Sequence, residues 1–345
     1  MKKHAWIQKI LRVYPNLEMS DILVFLMESS FGDKTPFLST KCNINSLHLG
    51  RITMLDDGYA KIDLVEHGDY WISFQSVEKL AQLSYVRNLQ KEENFLKILC
   101  DSKGFIEKIN PKSDFDVMHN LVDGYLRKNE RIYHSDAFIQ ENPESYFIVH
   151  QHFLDRLNVI SSIDQLYKSN QKVLIAIDGN ASSGKTTFSN WLKEFYDCNV
   201  FHMDDYLMKP VVNTFDPYSI YASNINFTRL REEVLHPFHQ EIVSVHQLLD
   251  LNTHQLSDSI ETKYKPITVI EGAYSMHPYL EKEYHLKIFM KTSYLEQIRR
   301  IYRRNGIKRL VKFITKWIPM ENTYFRDLNI AKQADIVIKT HAFHR

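Results

Sequence analysis

A chain of 345 residues is long enough for two ordinary domains, and its 44% hydrophobic content suits globular cores. The 43 basic side chains stand against 42 acidic ones, a net of +1, which excludes a broad basic face for nucleic acid. Cys42, Cys100 and Cys198 lie too far apart for a zinc spacing or a disulfide framework, and no apolar run has membrane length or the form of a leader, so a cytoplasmic protein without a membrane partner is expected.

The N-terminal half reads as α+β. Helices are predicted over 5–13 and 19–29, a β-prone region over 43–74, and further helices over 77–100 and 115–127. The boundary is expected in the polar region 129–145, or in a helix over 147–157 that joins the halves. This divides the chain into an N-terminal α+β domain, 1–150, whose role the residues leave unassigned, and a second domain, 151–345. His150/His152, His236/His239 and His341/His344 make no metal pattern and read as solvated or packed side chains.

From about Leu154 short apolar strands alternate with helical segments, the mark of an α/β layer with a parallel sheet flanked by helices. Strands are predicted at 172–178, 199–203, 266–270, 286–290 and 335–338. Ligands on such sheets bind beyond the carboxyl ends of the strands, so the residues just after each strand matter most.

After the first of these strands comes Gly179-Asn180-Ala181-Ser182-Ser183-Gly184-Lys185-Thr186-Thr187, the G-x-x-x-x-G-K-T pattern of a P-loop. A triphosphate must be wrapped by backbone N–H groups, and a glycine-bounded loop at a helix N-terminus can aim them inward together. Lys185 then suits the β- and γ-phosphates and the Thr186 hydroxyl suits Mg²⁺. Phe188, Trp191, Leu192 and Phe195 recur at helical spacing behind the loop.

Two carboxylates follow later strands. Asp204, after the second, is the candidate to orient or deprotonate a phosphoryl acceptor, although an Asp there also serves as a helix cap; Glu271, after the third, is the candidate for Mg²⁺, directly or through water. Farther on, Arg299, Arg300, Arg303 and Arg304 share one predicted helix that is expected to stop at Asn305-Gly306, with Lys308, Arg309 and Lys312 beyond. Spacings of three and four stack these side chains into rows, either as a solvated basic face or as a lid over bound triphosphate.

The pieces I-D-G-N-A-S-S-G-K-T-T, H-M-D-D-Y-L, V-I-E-G-A-Y-S-M-H-P, R-R-I-Y-R-R-N-G and W-I-P-M-E-N-T-Y-F together resemble the uridine kinase-like branch of P-loop kinases, which includes phosphoribulokinase and bacterial pantothenate kinase. The resemblance spans Val173 to about Ile338, half of the chain. It implies a P-loop kinase fold using ATP and Mg²⁺, with Asp204 in the catalytic base position, Glu271 as the magnesium-associated acid, and Arg303 or Arg304 as the lid arginine. Tyr206, Asn226 and His254 are the candidate acceptor contacts; nucleoside-binding members usually carry an Asp where this chain has Asn226.

These residues lead to an expected ATP- and Mg²⁺-dependent kinase that phosphorylates a hydroxyl of a small molecule, uridine or another nucleoside first and a non-nucleoside alcohol second, with a homo-oligomer left open. The competing expectation is a nucleotide-dependent regulatory protein with slow ATPase and an N-terminal output domain. Asp204 separates the two, because a hydrolytic switch needs no base for an acceptor.

Overall fold

A computed structural model describes residues 14, 17–39, 42–55, 58–109, 115–141, 145–209, 218, 220–250, 253 and 255–340. The chain forms two compact units, Met1–Asp164 and Gln165–Arg345. The helix expected over 5–13 and the candidate His254 lie outside the described residues.

In the first unit, helix α1 (Met19–Phe31) is buried along most of its length, carrying Ile22, Leu23, Phe25, Leu26 and Phe31 into the core. Its two buried acids accept hydrogen bonds: Asp21 receives His134, Ser135 and the Glu18 N–H, and Glu28 Oε1 receives the Tyr146 hydroxyl, while Glu28 Oε2 has no partner among the described residues. Among the described residues, strands β1 (His48–Met54), β2 (Tyr59–Val65) and β3 (Ser145–His150) form an antiparallel sheet in that order. Helices α2 (Phe74–Ser84), α3 (Leu89–Ile109), α4 (Phe115–Lys128) and α5 (Asp136–Glu141) complete the unit.

Two expectations are corrected here. The helix foreseen over 77–100 is two helices, because between them the Val86 N–H turns away to the Phe31 carbonyl and the Arg87 guanidinium holds the Tyr125 and Leu126 carbonyls. Ser73 and Asn88 cap the two starts by accepting the N–H groups of Ser76 and Lys91. The helix foreseen over 147–157 is instead strand β3, a 3-10 turn (Gln151–Arg156) and the start of α6 (Leu157–Asn170). Phe147, Ile148 and Val149 are buried in succession, so the run has no alternation to mark it, while its aromatic and β-branched content favours a strand.

The second unit is α/β. Strands β4 (Val173–Gly179), β5 (Asn199–His202), β8 (Ile267–Glu271), β9 (Leu286–Lys291) and β10 (Ile336–Lys339) form, among the described residues, a five-stranded parallel sheet of order β10-β9-β4-β8-β5. All five lie where the apolar runs put them. β4 is central; Val173, Leu174, Ile175 and Ile177 are fully buried, each contributing about 1.5–3 kcal/mol of hydrophobic stabilisation. Helix α7 (Lys185–Tyr196) follows β4 and packs Phe188, Leu192 and Phe195 inward until Asp197, in a left-handed conformation, ends it. A small antiparallel pair, β6 (Ser244–His246) with β7 (Ile260–Thr262), stands apart from the main sheet, after helices α8 (Phe227–Leu230) and α9 (His236–Gln240).

Three helices complete the unit: α10 (Tyr294–Lys312), α11 (Ile318–Asp327) and α12 (Ile330–Gln333). Gly306 in α10 has φ 70° and ψ 179°, a backbone that favours glycine, so the stop expected at Asn305-Gly306 is a kink through which the helix resumes.

Candidate functional site

β4 delivers its last residues to the top of the sheet between β8 and β9. Gly179 has φ 141°, and a Cβ there would stand 2.0 Å from the Met290 carbonyl oxygen of β9, so only glycine fits. The loop is then pinned: the Asn180 N–H donates to the Met290 carbonyl (3.2 Å) and the Ser183 N–H to the Asn180 carbonyl (3.0 Å). Gly184 caps the start of α7, whose N-terminal dipole points into the loop. The Ser182 and Ser183 hydroxyls are buried without a hydrogen-bond partner among the described residues, which fits a phosphate-bearing ligand able to accept from them. Thr187 is exposed in the first turn of α7.

The Lys185 ammonium folds over its own loop, donating to the Gly179 (2.7 Å) and Asn180 (3.1 Å) carbonyls. Its charge is felt by three carboxyls, Asp178, Asp204 and Glu321, lowering each against a larger opposing effect of burial.

Glu271 ends β8, buried, opposite His202 in the register of β5 with β8. Glu271 Oε1 receives both the Thr186 hydroxyl (2.8 Å) and His202 Nδ1 (2.6 Å). The bond to Glu271 holds the His202 imidazole above its ordinary range. Asp204 is the second residue of the 3-10 turn (Met203–Tyr206) directly after β5 and is exposed, yet nearby protein pushes its carboxyl up, and the charges of Glu271 and Asp205 push it further. The strand order thus brings together the P-loop, Asp204 and Glu271, which lie far apart in sequence.

Thr186 and Glu271 are the pair whose oxygens could hold Mg²⁺. They are hard donors already in contact, and the repulsion between Glu271 and Asp204 is of the kind that a divalent cation relieves. Among the described residues no group of three or more His, Cys, Asp and Glu side chains is arranged to hold a metal.

Three further residues reach the loop and were not assigned from sequence. Asp178, fully buried, accepts the Gly179 N–H (2.7 Å) and the Met276 N–H (3.1 Å) and the Tyr324 hydroxyl (2.9 Å); burial pushes its carboxyl up to about 6 against these bonds. Glu321 of α11 accepts the Ala181 N–H at 2.9 Å, and burial pushes its carboxyl up to about 7. The available signal was the three-residue spacing of Glu321 and Tyr324 within the W-I-P-M-E-N-T-Y-F segment.

From the arginine cluster, it is Arg300 that contacts the loop, donating to the Ser182 (3.1 Å) and Ser183 (3.4 Å) carbonyls while Glu296 braces its Nε at 2.8 Å. Arg303 and Arg304 are exposed, and Arg304 Nε donates to Asn305. Asn226 caps α8 by accepting the Arg229 N–H at 3.0 Å, and Tyr206 is a core side chain under the Arg229 guanidinium, 4.5 Å from its ring centroid.

No family model matches the chain, and no curated protein does. Among solved structures the chain is similar to a possible uridine kinase from Bacillus stearothermophilus, with 19% identity and a TM-score of 0.38 over 52% of this chain and 98% of that one. It is also similar to the shikimate kinase of Acinetobacter baumannii in complex with shikimate, with 15% identity and a TM-score of 0.30 over 51% of this chain and 87% of that one. A shikimate kinase from Bacteroides thetaiotaomicron is similar at 11% identity and a TM-score of 0.29, covering 50% and 89% of the two chains. Independently of these likenesses, a parallel sheet with a P-loop between its central strand and the following helix gives the second unit, among the described residues, a P-loop α/β architecture.

Proposed function

We propose that the second unit transfers the γ-phosphoryl group of ATP to a hydroxyl of a small molecule. The observation that carries this reading is the placement of Asp204 and Glu271 at the ends of adjacent strands beside Lys185 and Thr186. A loop that only bound nucleotide would need no exposed carboxylate beside it with its proton affinity raised. Asp204 is suited to accept the proton of the attacking hydroxyl, because it is an exposed carboxylate beside the loop whose proton affinity is raised above the ordinary aspartate value. The loop amides and Lys185 hold the phosphates, and Arg300 keeps the two serine carbonyls turned away from them. Mg²⁺, when bound through Thr186 and Glu271, supplies charge neutralisation at the phosphates. Arg303 and Arg304 are positioned on the helix beyond Arg300 and would act on closure of that segment.

A nucleoside, uridine first, is the acceptor to try before non-nucleoside alcohols, a choice that rests on the sequence resemblance alone, since the capping role of Asn226 lends it no support. The test is release of ADP from Mg·ATP with and without a panel of nucleosides and hydroxylated metabolites. Acceptor-dependent release together with a phosphorylated product supports transfer. Release at one slow rate whatever is added points instead to the nucleotide-dependent regulatory reading.

A further inference from the structure

α11 presents two buried side chains one turn apart, Glu321, which engages the loop, and Tyr324, which engages the end of β4 just before it. Glu321 Oε2 receives the Ala181 N–H at 2.9 Å, and the Tyr324 hydroxyl donates to Asp178 Oδ2 at 2.9 Å. A carboxylate on this amide is an anion inside a structure shaped to receive anions. The groups facing it are Lys185 on α7, Asp178 at the end of β4, Asp204 after β5 and Tyr274 after β8. Lys185 favours the ionised carboxylate, while burial and the two aspartates disfavour it and win. A triphosphate brings further negative charge to the same place and competes for Lys185, so the ionised form becomes costlier still.

We propose that Glu321 is a positioning residue that holds Ala181 in the free protein and takes up one proton from solvent when a nucleoside triphosphate binds, an inference that rests on the nucleotide-binding reading above. The proton converts the carboxylate to a neutral carboxyl and no other bond changes. One oxygen still accepts the Ala181 N–H, and the other gains an O–H that can donate toward phosphate. Nucleotide affinity is thereby linked to pH. A group whose proton affinity rises on binding favours the complex at low pH, so affinity declines above neutrality by up to about tenfold per pH unit while the bound form keeps its proton.

Titration calorimetry with Mg·ATP and no acceptor, at about pH 8 in two buffers of different ionisation enthalpy, counts the protons taken up per nucleotide bound. Wild type is expected to take up a net fraction of a proton. Glu321→Gln is expected to take up correspondingly less, to lose most of the pH dependence of affinity, and to bind at least as tightly as wild type at pH 8. Tyr324→Phe is expected to retain the uptake. A purely structural role would weaken binding at every pH and leave the proton count unchanged, and an equal count in wild type and Glu321→Gln overturns the proposal. So does a wild-type protein that binds without uptake, a measurement that needs no variant to fold. Absence of ATP binding by wild type at any pH removes the nucleotide reading itself and this proposal with it.

Discussion

The Arg300 guanidinium donates to the Ser182 carbonyl at 3.1 Å, a bond between residues 118 apart that ties the arginine-rich helix to the loop. Turning this carbonyl toward a cation keeps it from facing an anion bound in the loop. Arg300→Ala is therefore expected to weaken ATP binding by about tenfold, the scale of a charge-assisted hydrogen bond at a partly exposed site. Arg303→Ala and Arg304→Ala, at exposed positions, are expected to leave binding within about twofold and to lower the transfer rate more than affinity, because charge grows in the transition state. Calorimetry and initial rates on the three variants decide it, and equal binding losses in all three would remove the distinction.

Lys185 sits where the surrounding carboxyls of Asp178, Asp204 and Glu321 all feel its charge. Lys185→Ala is expected to cost about 1.5–3 kcal/mol of ATP binding, the usual worth of a hydrogen bond to a charged group. The three carboxyls also lose the cation that opposes their protonation, so the loss should deepen with rising pH as they ionise against the triphosphate. An unchanged dissociation constant by calorimetry would show that the loop does not hold phosphate.

Asp204→Asn keeps the size of the side chain and removes the base. ATP binding is expected to stay within a few-fold of wild type while transfer to the true acceptor drops about a hundredfold or more, the usual scale of general-base catalysis. Single-turnover measurements separate the two effects. Unchanged turnover would reduce Asp204 to an acid of the short turn after β5 with no part in proton transfer.

The strands and the loop were legible because their signals are local. Val173 to Ile177 form an unbroken apolar run before a glycine, and Asp204 and Glu271 stand out as the acids that follow such runs. The supports of the loop were not legible, because Glu321 meets Ala181 across 140 residues and Tyr324 meets Asp178 across 146, contacts that only the packing of α11 against the sheet creates. The arginine cluster was visible as a row, but which member turns inward depends on where α10 passes the loop, and that member is Arg300. Asn226 reads from sequence as an acceptor contact because its segment follows the base; its Oδ1 also caps the start of α8, a role that only the position of the helix reveals. β3 escaped because a strand buried on both faces has no period to read.

Glu321 also makes a claim on stability that can be checked without any ligand. Burial raises its carboxyl from the ordinary 4.5 to about 7 in the folded protein. The folded state therefore binds the proton more tightly than the unfolded chain does. The sign follows: this contribution is fully present below about pH 4.5 and is lost progressively as pH rises to about 7, with the ionised carboxylate then a standing cost of up to roughly 3 kcal/mol. Glu321→Gln carries no such proton, and its amide oxygen can still accept the Ala181 N–H. The difference in unfolding free energy between the variant and wild type, followed by urea unfolding from about pH 4.5 to 8, is expected to move in favour of the variant as pH rises and to level off beyond about pH 7.5. Comparing the two proteins at each pH cancels the titration of groups that do not interact with Glu321. A difference that stays flat across this range would mean that the Glu321 carboxyl is ionised throughout, held by Lys185 and Ala181 more strongly than burial opposes it.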